Sequence, residues 1–241
     1  MANRLFRIIN RKGTGHRLFP LFFMMIRIGF IPAWGQPSAP PEPQTEDNPG
    51  SGRFHLEIEP RNFEPELLES ALLASTNQER IQRGLPPLIR NDRLAQSARR
   101  YSEDMRRRQK ISHVSPTYGL ETLPARLEQA GIAPVNASVA ENLAVDYCLV
   151  ISGIPFYLEN RSGTERYMDA RTRKPVRPYT YHAFARQVVD RWIQSPGHRE
   201  NLLNPGFQRI GIGVSAGRYR GLDAIYVTQH FWGGFEDHQE P

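Results

Sequence analysis

Three separated stretches of the 241-residue chain carry the side chains best suited to chemistry. "ISHVSP" sets His113 among hydroxyl residues, "AENLA" sets Glu141 beside Asn142, and "SPGHRENLL" sets His198 directly behind a Pro-Gly break. Two neutral imidazoles can hold a divalent metal such as zinc and leave positions for water. A carboxylate beside them can orient one ring, raise its basicity or accept a proton from bound water. Two function classes follow. In a metal-assisted hydrolase of peptidase or nuclease type, His113, Glu141 and His198 form the catalytic group, with His113 and His198 as metal ligands. In a binding module, the same side chains line a cleft that recognises a partner. Each residue also has a plainer use. Glu141 can stabilise a helix N-terminus, His198 can satisfy backbone groups after the turn, and His113 can share a hydrogen bond with Glu141.

Other chemistries find little support. Ser112 and Ser115 flank His113 without a nucleophile elbow or an oxyanion motif. No Gly-rich phosphate loop, CxxC pair or HExxH helix is present. Cys148 is the one cysteine, so no intrachain disulfide is possible and the fold must rest on core burial. Such a cysteine is expected to act as a small buried hydrophobe.

The elements that must position these residues are read from local signals. Pro65 opens a helix over 65–83, with Leu68, Leu72, Ser75 and Glu79 at helical spacing and Gly84 as its stop. Asn91 caps a second helix over 92–109, whose stripe of Leu94, Ala95, Ala98, Tyr101 and Met105 is apolar. Its arginine-rich side reads as a solvated face. A short helix is predicted over 121–130, stopped by Gly131, and another from near Val139, which sets Glu141 and Asn142 at its entry. Residues 181–194 make a strong helix that Pro196-Gly197 ends or kinks, turning His198 towards a cleft. Two strands, 209–217 and 224–232, close the unit; Gln229 on the second is a neutral hydrogen-bonding side chain able to reach the cleft. Helices first and strands last predict an α+β domain. Between them, residues 151–180 show neither period and read as a long surface loop. That loop interleaves Tyr157, Tyr167 and Tyr179 with Arg161, Arg166, Arg171, Arg173 and Arg177, a composition suited to contact with a partner.

Charge and composition bound the rest. Residues 1–35 hold six basic residues and no acid, followed by an apolar run and small residues at 33 and 35. This is the pattern of an export signal cleaved before Gln36, the alternative being an uncleaved N-terminal membrane anchor. Residues 36–52 form a Pro/Ser/Gly/acid linker, and the domain occupies 53–241. Outside the leader, 25 basic residues balance 25 acidic ones, so the high overall basicity does not favour nucleic acid as a partner.

The order "NQERIQRGLPPL", "LAQSARRYSEDM", "SHVSP", "AENLA", "VVDRWIQSPGHRENLL", "IGIGV" and "YVTQHF" resembles the CAP superfamily of cysteine-rich secretory, antigen 5 and plant pathogenesis-related proteins. The lack of a disulfide is similar to its bacterial extracellular, SCP-like branch. The resemblance covers about residues 67–232. It implies an α-β-α sandwich with a small antiparallel sheet between helices, an extracellular or periplasmic location, and a cleft of two histidines and two glutamates. His113 matches the first histidine, Glu141 the acid of the "EN" motif and His198 the second histidine. The second glutamate falls at Ser195, so the tetrad is incomplete. The partner such a module implies is a lipid, a glycan or another component of the cell envelope.

Overall fold

The computed structural model of the protein describes residues 51–234, except 135, 152, 162 and 163. The leader and nearly all of the linker lie outside the described residues. The chain runs α1 (Pro65–Gln82), β1 (Ile89–Arg90), α2 (Asp92–Arg108), α3 (Leu123–Glu128), β2 (Ser138–Tyr147), β3 (Phe156–Arg161), β4 (Thr164–Asp169), α4 (Tyr181–Gln194), α5 (Pro196–Leu203), β5 (Arg209–Tyr219) and β6 (Leu222–Gly233). Local signals set the helix ends. The Asn91 side chain accepts a hydrogen bond from the Leu94 N–H at 2.9 Å, and Thr180 caps α4 through the Ala183 N–H. Ser195, with extended backbone at φ −92° and ψ 119°, separates α4 from α5. The Pro-Gly break therefore starts a new helix, with Pro196 in its first turn.

Four strands form the central sheet in the order β1-β5-β6-β2. β5 and β2 both run antiparallel to β6, while the short β1 lies parallel to β5. Cross-strand partners share a face, which sorts the side chains. Ile210, Ile212, Val214, Ile225, Val227 and Phe231 pack with Leu68 and Leu72 of α1 and with Val188, Val189 and Trp192 of α4. On the opposite face Tyr226 joins Tyr101 and Met105 of α2, and Trp232 joins Leu94 and Leu127. Helices thus cover both faces, giving an α+β fold of the α-β-α sandwich type. Glycine is required where α2 crosses β5: a Cβ on Gly213 would stand 2.0 Å from the Arg99 nitrogen, and one on Gly211 2.1 Å from the Leu94 carbonyl carbon.

Two expectations are corrected. The segment from Val139 is a strand, β2, paired with β6 from Ser138 to Tyr147. Its Ala, Glu and Leu content favours helix locally, but pairing and burial at the sheet edge decide the outcome. Residues 151–180 are also not a plain loop. They contain the β3–β4 hairpin, in which Phe156 pairs with Asp169 and Leu158 with Tyr167. Around α2 several arginines are ion-paired: Arg99 binds Glu69 through two hydrogen bonds of 2.7 and 2.5 Å, and Arg108 meets Asp104. Cys148 is buried, and burial pushes its thiol up to about 12, which leaves it unreactive.

Candidate functional site

β2 is an edge strand, and the site is built around that edge. Alternation sends Glu141 to the face covered by α2 and α3, and Asn142 to the face covered by α1, α4 and α5. Glu141 is the hub. Arg126 of α3 donates from Nη2 to both carboxylate oxygens at 2.9 and 2.8 Å. His113 Nδ1 donates to Oε1 at 2.8 Å, and His230 Nε2 donates to Oε2 at 3.0 Å. Arg126 is itself buried, stacked 3.6 Å above the Tyr101 ring, and donates to the Leu120 and His113 carbonyls. These contacts fix the 113–120 loop onto the sheet.

The electrostatics follow from this packing. Burial pushes the Glu141 carboxyl up, but hydrogen bonds from His113 and His230 and the charge of Arg126 outweigh it and hold the group at about 2. Burial drives His230 below its ordinary value in spite of the adjacent carboxylate, so a neutral ring donates to an anionic Glu141. A carboxylate offers about four lone-pair sites. Here three nitrogens, Arg126 Nη2, His113 Nδ1 and His230 Nε2, engage both oxygens in four contacts.

His198 approaches the same edge from the other face. Asn142 Nδ2 donates to the His198 carbonyl at 3.1 Å, and Asn201 Nδ2 donates to Asn142 Oδ1 at 3.0 Å, which docks α5 on β2. The His198 ring lies 6.5 Å from that of Trp192, centroid to centroid. Burial lowers its pKa, and the charges of His113 and Arg191 lower it further. Among the described residues no hydrogen bond joins the His198 ring to His113 or Glu141. His198 lines a cavity of about 330 Å³ with Leu143, Ala144, Val188, Arg191, Trp192, Gln194 and Ser195. Ser195, at the position of the missing glutamate, therefore borders the cavity, whereas Glu200 is exposed on α5. Trp192 Nε1 donates to the Leu143 carbonyl at 3.1 Å, which anchors the cavity floor to β2.

The three residues singled out in the sequence thus divide into a bonded pair, His113 and Glu141, and a third member, His198, that faces a cavity around the strand edge. Gln229 is a buried tie: its Nε2 donates to Thr76 Oγ1 at 2.9 Å, and its Oε1 accepts from Asn142 at 3.5 Å. Ser115 donates to Asp104 at 2.8 Å and serves the loop. Arg126 and His230 escape a reading of the sequence. The one available signal for Arg126 is a charged residue beside Leu127 in a short helix; His230 follows Gln229 in a strand with no other mark. Among the described residues no three His, Cys, Asp or Glu side chains are grouped to hold a metal ion. With both Glu141 oxygens engaged, only His113 Nε2 and the His198 ring are left as donors, two where the open centre of a hydrolytic metal takes three protein ligands.

The comparisons with known proteins agree with this architecture in extent. A family model described as "CAP: Cysteine-rich secretory protein family" matches residues 73–231, from within α1 to within β6. The chain is 30% identical over 145 residues to the uncharacterized protein YkwD of Bacillus subtilis, covering 60% of this chain and 41% of that one. It is 29% identical over 163 residues to the uncharacterized membrane protein YlbC of the same organism, covering 68% and 34%. The chain therefore spans less than half the length of these curated relatives. Among solved structures, it is similar to an extracellular SCP-domain protein of Bacillus anthracis, at 24% identity and TM-score 0.44 with 69% and 40% of the chains covered. An outer surface protein of Borrelia burgdorferi matches at 18% identity and TM-score 0.44 with 70% and 93% covered. A family match over most of the folded region, taking in His113, Glu141 and His198 together, assigns the chain to the CAP family.

Proposed function

We propose that the chain is an exported interaction module whose cleft, at the edge of β2, binds a lipid, glycan or other component of the cell envelope. In this reading residues 1–35 are the leader or anchor, 36–52 the tether and 53–241 the binding domain, working outside the cytoplasm. The observation that carries it is the engagement of both Glu141 oxygens. A general base must take up a proton, whereas hydrogen bonds from Arg126, His113 and His230 hold this carboxyl at about 2. The carboxylate instead fixes the ring of His113, which leaves Nε2 as an acceptor in the neutral form, on a side chain 59% exposed. Across the edge, a neutral His198 can accept or donate one hydrogen bond within a cavity lined by Ala144, Val188 and Trp192. Such a mixed lining suits a ligand with one apolar part and one polar part. The loop that carries His113 also exposes Val114 by 63% and Tyr118 by 90%, apolar surface that a bound partner would cover.

The test uses the purified protein, a soluble short-chain phosphatidylglycerol, a muramyl peptide and zinc chloride. Titration calorimetry is expected to detect binding of one organic probe, weakened at least tenfold by His198→Ala, with no hydrolysis of a mixed peptide, ester and nucleotide panel. Zinc-dependent turnover abolished by His113→Ala/His198→Ala would establish the hydrolase instead.

A further inference from the structure

The β3–β4 hairpin lies outside the cleft, and its exposed surface is unusual. Phe156, Tyr157 and Leu158 are consecutive in β3, so their side chains alternate between its two faces, yet all are exposed, by 36%, 40% and 42%. A strand packed on the body by one face would hide every second residue. A two-stranded hairpin is also marginal in water without something to cover an apolar face. Beside this apolar strand stands a basic turn. Phe156 pairs with Asp169, and the Ala170 N–H donates to the Pro155 carbonyl at 2.8 Å, which brings the turn after β4 alongside the start of β3. The Asp169 carboxylate accepts from the Arg171 N–H at 2.7 Å and the Thr172 N–H at 3.2 Å, so its charge is spent on holding the turn. Arg173 sits in the left-handed region at φ 56°. Arg171, Arg173 and Lys174 are all exposed. From 156 to 177 the sequence holds six basic residues against three acidic ones, in a domain whose charges otherwise balance.

We propose that this hairpin is a membrane-docking element: Phe156, Tyr157 and Leu158 enter the interface of an anionic phospholipid bilayer while Arg171, Arg173 and Lys174 lie on its headgroups. Aromatic and aliphatic side chains flanked by cations suit that boundary, where apolar burial and attraction to anionic lipid add. A soluble polyanion would use the cations alone and leave the apolar strand in water, which is why the bilayer is favoured. The inference rests on the export reading, since a bilayer surface is where an exported or tethered domain works, but not on what fills the cleft.

The experiment exploits the single, buried Cys148. In the full chain, Leu158→Cys is labelled with an environment-sensitive fluorophore, with Glu128→Cys on exposed α3 as the control position. Vesicles with about one third phosphatidylglycerol are expected to shift the label at 158 to the blue, brominated acyl chains to quench it, and the label at 128 to remain aqueous. Arg171→Glu/Arg173→Glu/Lys174→Glu is expected to weaken this insertion at least about a hundredfold, at about fivefold per cation. A label at 158 that stays aqueous would overturn the proposal. So would equal binding to a soluble poly(glycerol phosphate), which would make the partner an anionic polymer. Loss of insertion in His198→Ala would do the same by assigning the contact to the cleft, whereas cleft binding that fails with insertion intact would refute only the function proposed above.

Discussion

At the scale of single residues, Glu141 and the histidines around it make stability depend on pH in two steps. His198 and His230 are both held below the ordinary 6.5, so the unfolded chain takes up their protons first. Their contribution is complete above pH 6.5 and declines as pH falls from there through each folded value. Glu141, held at about 2 against 4.5, contributes fully above pH 4.5 and is lost as pH falls towards 2. Urea unfolding followed across pH 2–8 is expected to show one decline setting in below about 6.5 and a second, steeper one below about 4.5, of which Glu141 supplies about 3 kcal/mol. In Glu141→Gln the second decline should shrink but persist, because Glu103, hydrogen-bonded to Arg106, is also held at about 2. That variant should also lose about 3–5 kcal/mol at pH 7, because the buried Arg126 guanidinium is left without its counter-charge. A single decline in the wild type, or an unchanged Glu141→Gln, would contradict this account of the hub.

At the scale of elements, the contact between α2 and β5 is a close one and depends on absent side chains. The atoms a Cβ on Gly213 would meet belong to the backbone of Ala98 and Arg99, which cannot rotate away. Gly213→Ala is therefore expected to lift α2 from the sheet and cost about 3 kcal/mol or more, read from the urea midpoint; a loss within 0.5 kcal/mol would show that the helix has room to shift. How much of this was legible varies with how local each signal is. Pro65, Asn91 and Thr180 act within a turn of their own positions, so α1, α2 and α4 can be drawn from sequence, as can β5 and β6 from their β-branched residues. β2 could not. Ala140, Glu141 and Leu143 suit a helix until β6, more than eighty residues away, pairs with them. The same distance hides the site. His113, Glu141 and His198 stand out by residue type and by family resemblance, but Arg126 and His230 acquire their roles only when α3 and β6 bring them against one carboxylate.

At the scale of the whole molecule, the sandwich closes without covalent help. Cys148 has no partner cysteine, so melting with and without millimolar dithiothreitol is expected to give the same midpoint; a drop on reduction would reveal a disulfide between chains. Polar ties take over where cysteines are absent. Thr76 of α1, Gln229 of β6, Asn142 of β2 and Asn201 of α5 join one flank of the protein to the other through buried amides. Arg80, wholly buried, fastens the far end of α5 by donating to the carbonyls of Leu202 and Asn204. The wall beside His198 is consequently stiff. A guest too large for the hollow would have to unpick bonds as far away as the first helix, so if the cavity takes a ligand as proposed, bulkier analogues are expected to be turned away.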